Sequence, residues 1–245
     1  RSTPPRSPAG YRLEALTPDL TAVIDAAFGR AAKVHVLGHD WGSVLVFSYL
    51  SSAQGRRRVR SFTSISGPHL AVIWSSLLSV SRSRSPRAML AALGQLGASW
   101  YTFALQLPWL PELLFKRMGA RVVQHALRRA GVPRNDAYLE LNNAQAWERT
   151  QHAMELYRQN VLRPPALPAP SSIDLPILAI VPERDPFVRP SSVAELQAYA
   201  PQLQLLHVAA SHWVLRSHPA LIARALRDLI ARVDTGQSPE EQVSA

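Results

Sequence analysis

The sequence predicts an α/β fold: a mostly parallel sheet flanked by helices on both faces, with a block of helices inserted between two strands. Two observations carry the prediction. Short apolar runs of strand type alternate with helix-period segments before Pro68 and again after Leu175. The interval from Pro68 to about Pro170 holds only helix-like pieces, and compact domains rarely contain a structureless loop of that length.

Each element follows from its pattern. Leu13, Leu16, Leu20, Val23, Ile24 and Ala27 recur at helical steps, and Gly29 offers a stop. KVHVLG then reads as a strand, HDWG as a turn and SVLVFSYLSS as a helix. SFTSISG, residues 61–67, is a second strand. LPILAIV, residues 175–181, is a third, and LQLLHVA, residues 203–209, a fourth. SSVAELQAYA and PALIARALRDLIARV are helices, the latter with Leu221, Ile222, Ala225, Leu226, Leu229 and Ile230 on one side. Between the second and third strands lie the helix-like AMLAALGQLGASWYTFALQL, ELLFKRMGARVVQHALRRAG and NAQAWERTQHAMELYRQNVL. The proline-rich LRPPALPAPSS leads back to the sheet. The expected division is residues 1–69 as the first part of a core, 70–170 as a helical insertion, 171–235 as the second part of the core and 236–245 as a polar tail.

Composition bounds the function. At 245 residues, 47% hydrophobic, with a mean hydropathy of -0.04, the chain is of ordinary globular type. No apolar run is long enough to span a bilayer, and no signal peptide opens the sequence, so cytoplasmic residence is the default expectation. The formal charge is +10, yet its basic residues are spread along the chain apart from GRRRVR (55–60) and SRSRSPR (81–87). Such a field reads as solvated surface, and nucleic acid is not expected as a partner. Zero cysteines exclude disulfides, iron–sulfur clusters and thiolate catalysis, and no histidine spacing resembles a metal site. No metal or cofactor is therefore expected.

The chemistry concentrates in Gly38-His39-Asp40-Trp41-Gly42. A strand, a tight Gly-x-Nuc-x-Gly turn and a helix make a nucleophile elbow, in which the central side chain is pushed out over the carboxyl edge of the sheet. That side chain is Asp40; Ser43 lies outside the frame, which excludes a serine hydrolase. An Asp nucleophile forms an alkyl ester whose hydrolysis needs a base, usually a histidine oriented by a carboxylate. The third strand is followed by Glu183 and Asp185, and the fourth by His212 and His218. Asp185 and His212 are favoured because each sits in a turn a few residues past its strand. The alternative for Asp40 is a plain helix cap.

On these residues the chain resembles the epoxide hydrolase branch of the α/β-hydrolase fold, whose close relatives, the haloalkane dehalogenases, share the Asp-Trp elbow. The insertion resembles that branch's cap. Tyr101 opens a segment, YTFALQLP, similar to the family pattern Y-x-x-x-F-Q-x-P, with Leu105 in place of the aromatic. Tyr157 lies in LYRQN, similar to the pattern that carries the second cap tyrosine. The resemblance implies that Asp40 attacks an epoxide carbon while Tyr101 and Tyr157 hold the alkoxide, and that His212, oriented by Asp185, activates water. It also implies Trp41 N–H as an oxyanion donor and a small apolar epoxide, lipid-derived ones included, as substrate. Alternatives are a dehalogenase or other Asp-nucleophile hydrolase, and a truncated, non-catalytic homologue. Truncation is an expectation because the family carries strands and an HGxP turn before the elbow, and neither is read here. GPHLAVIW and the alanine-rich, basic style are also similar to the hydrolase part of actinobacterial fusions with a short-chain dehydrogenase, though no GxGxxG is present.

Overall fold

A computed structural model describes residues 3–80, 85–166, 168 and 172–236. Arg1-Ser2, the arginines at 82 and 84, and the polar tail from 237 lie outside the described residues. Four strands, β1 (Val34–His39), β2 (Val59–Ile65), β3 (Ile177–Pro182) and β4 (Leu203–Val208), form one sheet in that order, with every pair parallel. The register aligns their carboxyl ends, with His39 beside Ile65, Ile65 beside Ile180, and Val181 beside His207. The turns after all four strands therefore open on one edge of the sheet.

Helices cover both faces, as strands buried on two sides require. On one face, α1 (Leu13–Phe28), α2 (Trp41–Leu50) and α3 (Ala53–Arg58) enclose a core that includes Phe47 and Phe62, both fully buried and packed edge to face at 5.0 Å. The helix α1 buries Leu13 and Ile24, whereas Val23 and Ala27, expected on the same side, are exposed. Val23 lies about 100° round the helix from Ile24, which takes it off the inward stripe. Pro18 leaves the Glu14 carbonyl without its helical donor, and the Thr17 hydroxyl donates to it instead at 3.0 Å.

Between β2 and β3 run α4 (Leu70–Val80), α5 (Pro86–Ala98), α6 (Trp100–Ala104), α7 (Leu110–Arg129) and α8 (Asn143–Asn160). No strand interrupts them among the described residues. The longest, α7 and α8, pack on each other; Asn142 caps α8 in a reciprocal box with Gln145. The buried Asn160 ends α8 and ties it to the core: its carbonyl oxygen accepts from Leu13 N and its amide donates to Tyr11 O, both at 2.9 Å. Past β3, the segment expected to form one helix splits into α9 (Pro190–Ala194) and a 3-10 turn at Glu195–Ala198. On the second face, α10 (Val214–Ser217) and α11 (Pro219–Thr235) pack Val214, Ile222 and Leu229 against Ile65, Leu178 and Ile180.

Candidate active site

The chain leaves β1 through Asp40, whose φ of 53° is left-handed, a strained state for a residue with a side chain. Its N–H donates to Ile65 O at 3.0 Å and its carbonyl accepts from Val44 N at 3.1 Å, which fixes the turn between β2 and α2. Two glycines make room. A Cβ on Gly38 would lie 2.7 Å from Ser43 Cα, and one on Gly67, at the exit of β2, 2.3 Å from Asp40 O. Gly42, the other flanking glycine, has nothing within 4 Å of such a position, so it is not what the close packing requires. The Asp40 carboxylate makes no capping bond to α2, and its side chain is 42% exposed. The plain-cap alternative thus has no bond to support it.

The turns after β3 and β4 bring two buried groups to this carboxylate. Asp185 Oδ1 accepts from Phe187 N at 2.8 Å and Val188 N at 3.2 Å, and its Oδ2 lies 2.9 Å from His212 Nδ1. The other imidazole nitrogen, Nε2, lies 4.0 Å from Asp40 Oδ1. Of the residues the sequence left open, Glu183 is exposed, and His218 sits at the start of α11 with its Nδ1 2.8 Å from Ser217 Oγ. Burial opposes charge on His212, but the Asp185 hydrogen bond and the charges of Asp40 and Asp185 outweigh it and raise its pKa. For Asp185, burial is likewise the largest influence and acts upward, yet His212 and the two backbone N–H groups bring its pKa below the usual value.

Over this trio lies a chain of aromatic rings. Trp41 meets Tyr157 edge to face at 4.9 Å, Tyr157 meets Tyr101 at 5.7 Å, Tyr101 meets Phe187 at 5.3 Å, and Phe187 meets His212 at 4.9 Å. Tyr101 comes from α6 and Tyr157 from α8, so the inserted helices complete the site. Burial first, then the neighbouring negative charge, raises both phenol pKa values, keeping the hydroxyls protonated as donors. Trp41 is the first residue of α2, where a backbone N–H has no acceptor within the helix.

Further residues hold these groups in place. His39 Nε2–H donates to His212 O at 3.0 Å, and Ser66 Oγ donates to the same carbonyl at 3.4 Å. Gln95, buried on α5, makes four bonds across to the acid turn and its own helix end. Its Nε2 donates to Phe187 O at 3.0 Å and Ser99 Oγ at 2.9 Å, while its Oε1 accepts from Arg189 N and Ser192 Oγ, both at 3.1 Å. The histidine turn is braced by Trp213 N, which donates to Ala130 O at 2.9 Å. His39 adjoins the elbow and was therefore within reach of a sequence reading. Gln95, Gly67 and Phe187 give no spacing signal, because their partners lie about ninety, twenty-seven and twenty-five residues away.

The chain matches the α/β hydrolase fold family over residues 1–219. It is 31% identical over 255 residues to "Probable oxidoreductase EphD" of Mycobacterium tuberculosis, covering 98% of this chain but only 40% of that protein. It is 26% identical to "Epoxide hydrolase 3" of Xenopus tropicalis, covering 90% of this chain and 58% of that one. Among solved structures it is similar to an epoxide hydrolase of Bacillus megaterium bound to an inhibitor, with a TM-score of 0.69 and 19% identity over 93% of this chain and 78% of the other. Potato epoxide hydrolase I gives a TM-score of 0.66 at 19% identity, over 95% and 80%. At such identities the solved structures speak for the fold.

Proposed function

The chain belongs to the α/β-hydrolase fold family, and from that premise we propose that it opens an apolar epoxide to a vicinal diol through an ester on Asp40. The observation that carries this reading is the pair of half-buried tyrosines, Tyr101 and Tyr157, joined ring to ring above the elbow that exposes Asp40. An epoxide needs what this arrangement offers: a carboxylate to attack carbon and protonated hydroxyls to donate to the oxygen that leaves it.

In the first half-reaction an Asp40 oxygen forms a bond to one ring carbon, and the C–O bond of that carbon breaks. A proton passes from Tyr101 or Tyr157 to the departing alkoxide, leaving an alkyl ester and a tyrosinate. In the second, His212 Nε2 removes a proton from water, whose oxygen adds to the Asp40 carbonyl carbon. The 4.0 Å between His212 and Asp40 exceeds direct hydrogen bonding, which suits a base that acts through water. The Trp41 N–H supports the oxyanion of the tetrahedral intermediate. Collapse breaks the ester, and the released alcohol, the returned carboxylate and the proton passed from His212 to the tyrosinate balance the reaction as epoxide plus water to diol. Asp185 holds the ring with Nδ1 protonated and stabilises the imidazolium.

Single-turnover reaction with an aryl epoxide in 18-O water tests the reading. Label in the Asp40 peptide together with a diol is the expected result; neither label nor diol overturns it. Halide release from haloalkanes without epoxide turnover would replace it with the dehalogenase reading.

A further inference from the structure

All but five of the exposed large apolar side chains among the described residues lie between Met89 and Met118; the others are Val23, Phe28, Leu37, Leu78 and Leu162. They fall on one continuous stretch of the inserted helices. On α5, Met89, Leu90, Leu93 and Leu96 follow helical steps on the exposed side, while Gln95 is buried against the acid turn. The stripe runs on through Trp100 and Phe103 of α6, Leu107 and Trp109 of the connection, and Leu110, Leu113 and Leu114 of α7. Trp100 is 68% exposed and Trp109 70%. Trp109 is also held at φ 50°, an outlier for so bulky a side chain, with its ring left largely uncovered.

Charge selects the occupant. Between Arg87 and Glu112 the sequence has no charged residue. Glu112 itself is bound at 2.6 Å to Arg158, so its charge is neutralised beside the patch. The other charged residues of α7 are Lys116, Arg117, Arg121, Arg128 and Arg129, all exposed and all cationic. An apolar centre carrying two indoles, next to a helix whose charges other than the paired Glu112 are all cationic, complements an anionic lipid surface: indoles favour the membrane–water interface, and arginines pair with phosphate.

We propose that this face of the inserted helices, centred on Trp100 and Trp109 and bordered by Arg117 and Arg121, docks onto the surface of an anionic bilayer. The α6 helix that carries Trp100 to the bilayer carries Tyr101 to the candidate site, so docking brings that site near a reservoir of apolar compounds. The docking itself does not depend on the reaction assigned above.

Co-sedimentation of the full chain with phosphatidylglycerol–phosphatidylcholine vesicles, and with phosphatidylcholine alone, tests it. Binding to the anionic vesicles is expected, weakened by salt and reduced about tenfold or more by Trp100→Ser with Trp109→Ser, and likewise by Arg117→Glu with Arg121→Glu. Unchanged circular-dichroism melts in both pairs separate this loss from unfolding. No binding by the folded wild-type chain would overturn the proposal, as would binding that both pairs leave intact. A dimer in sedimentation velocity that the tryptophan pair abolishes, without vesicle binding, would give the face to a second copy instead.

Discussion

Asp40 can serve as nucleophile only if the groups around it hold the right protons, and burial sets those protons. Tyr101 and Tyr157 are kept as phenols by burial and by negative charge nearby, so they would enter the proposed reaction able to donate. Tyr101→Phe together with Tyr157→Phe removes both donors; ester formation should slow at least about a thousandfold in a stopped-flow measurement, by analogy with the loss of oxyanion donors. His212 works as a base only when neutral, and with Asp40 ionised the Asp185 hydrogen bond and the charges of Asp40 and Asp185 hold its pKa above the ordinary imidazole value of about 6.5. In Asp185→Asn the carboxylate that accepts from His212 Nδ1–H and its charge are both lost. The His212 pKa should then fall, which NMR titration of the imidazole reads directly, and turnover falls with it.

At the scale of elements, the site depends on four strand ends sharing one edge and on inserted helices gripping the turns that leave it. Gly67 lets the exit of β2 lie against the elbow, so Gly67→Ala forces a Cβ onto Asp40 O. We expect a loss of about 1–3 kcal/mol of stability and up to about a hundredfold in kcat from the displaced carboxylate, read by denaturant melts and by turnover. Gln95 is the corresponding tie between α5 and the acid turn. Gln95→Leu leaves Phe187 O, Arg189 N and Ser192 Oγ without their partner, and should cost about 1–3 kcal/mol in a denaturant melt. Because Phe187 N also donates to Asp185, this variant should lower kcat more than it raises KM.

At the scale of the molecule, pH acts through a buried histidine that the proposed chemistry does not use. His69 is almost wholly buried; its Nδ1 accepts from Ala71 N at 3.2 Å, so the neutral ring donates from Nε2 to Ser51 Oγ at 3.1 Å. Burial pushes its pKa down to about 4. Between the ordinary value near 6.5 and about 4, the unfolded chain takes up a proton that the folded chain refuses, so stability falls as pH falls through this window. The full effect is about 3 kcal/mol at the lower end. His69→Gln should flatten that part of a plot of thermal midpoint against pH, whereas an unchanged slope would assign the acid sensitivity elsewhere.

The sequence by itself determined the fold class, the order of the strands along the chain and the tight turn at Asp40. These rest on local patterns: period two, period 3.6 and glycines beside a turn. It also narrowed the choice at the later turns to two carboxylates and two histidines, because those residues sit just past strand ends. Only the tertiary structure shows which of them meet. Asp185 reaches His212 while Glu183 stands exposed, and His218 sits at the start of α11 paired with Ser217. It alone brought Gly67, Phe187 and Gln95 to the site and left Gly42 without close neighbours. The physical reason is that a contact between residues distant in the chain depends on how the sheet and inserted helices pack, and that packing leaves no periodic mark on either segment.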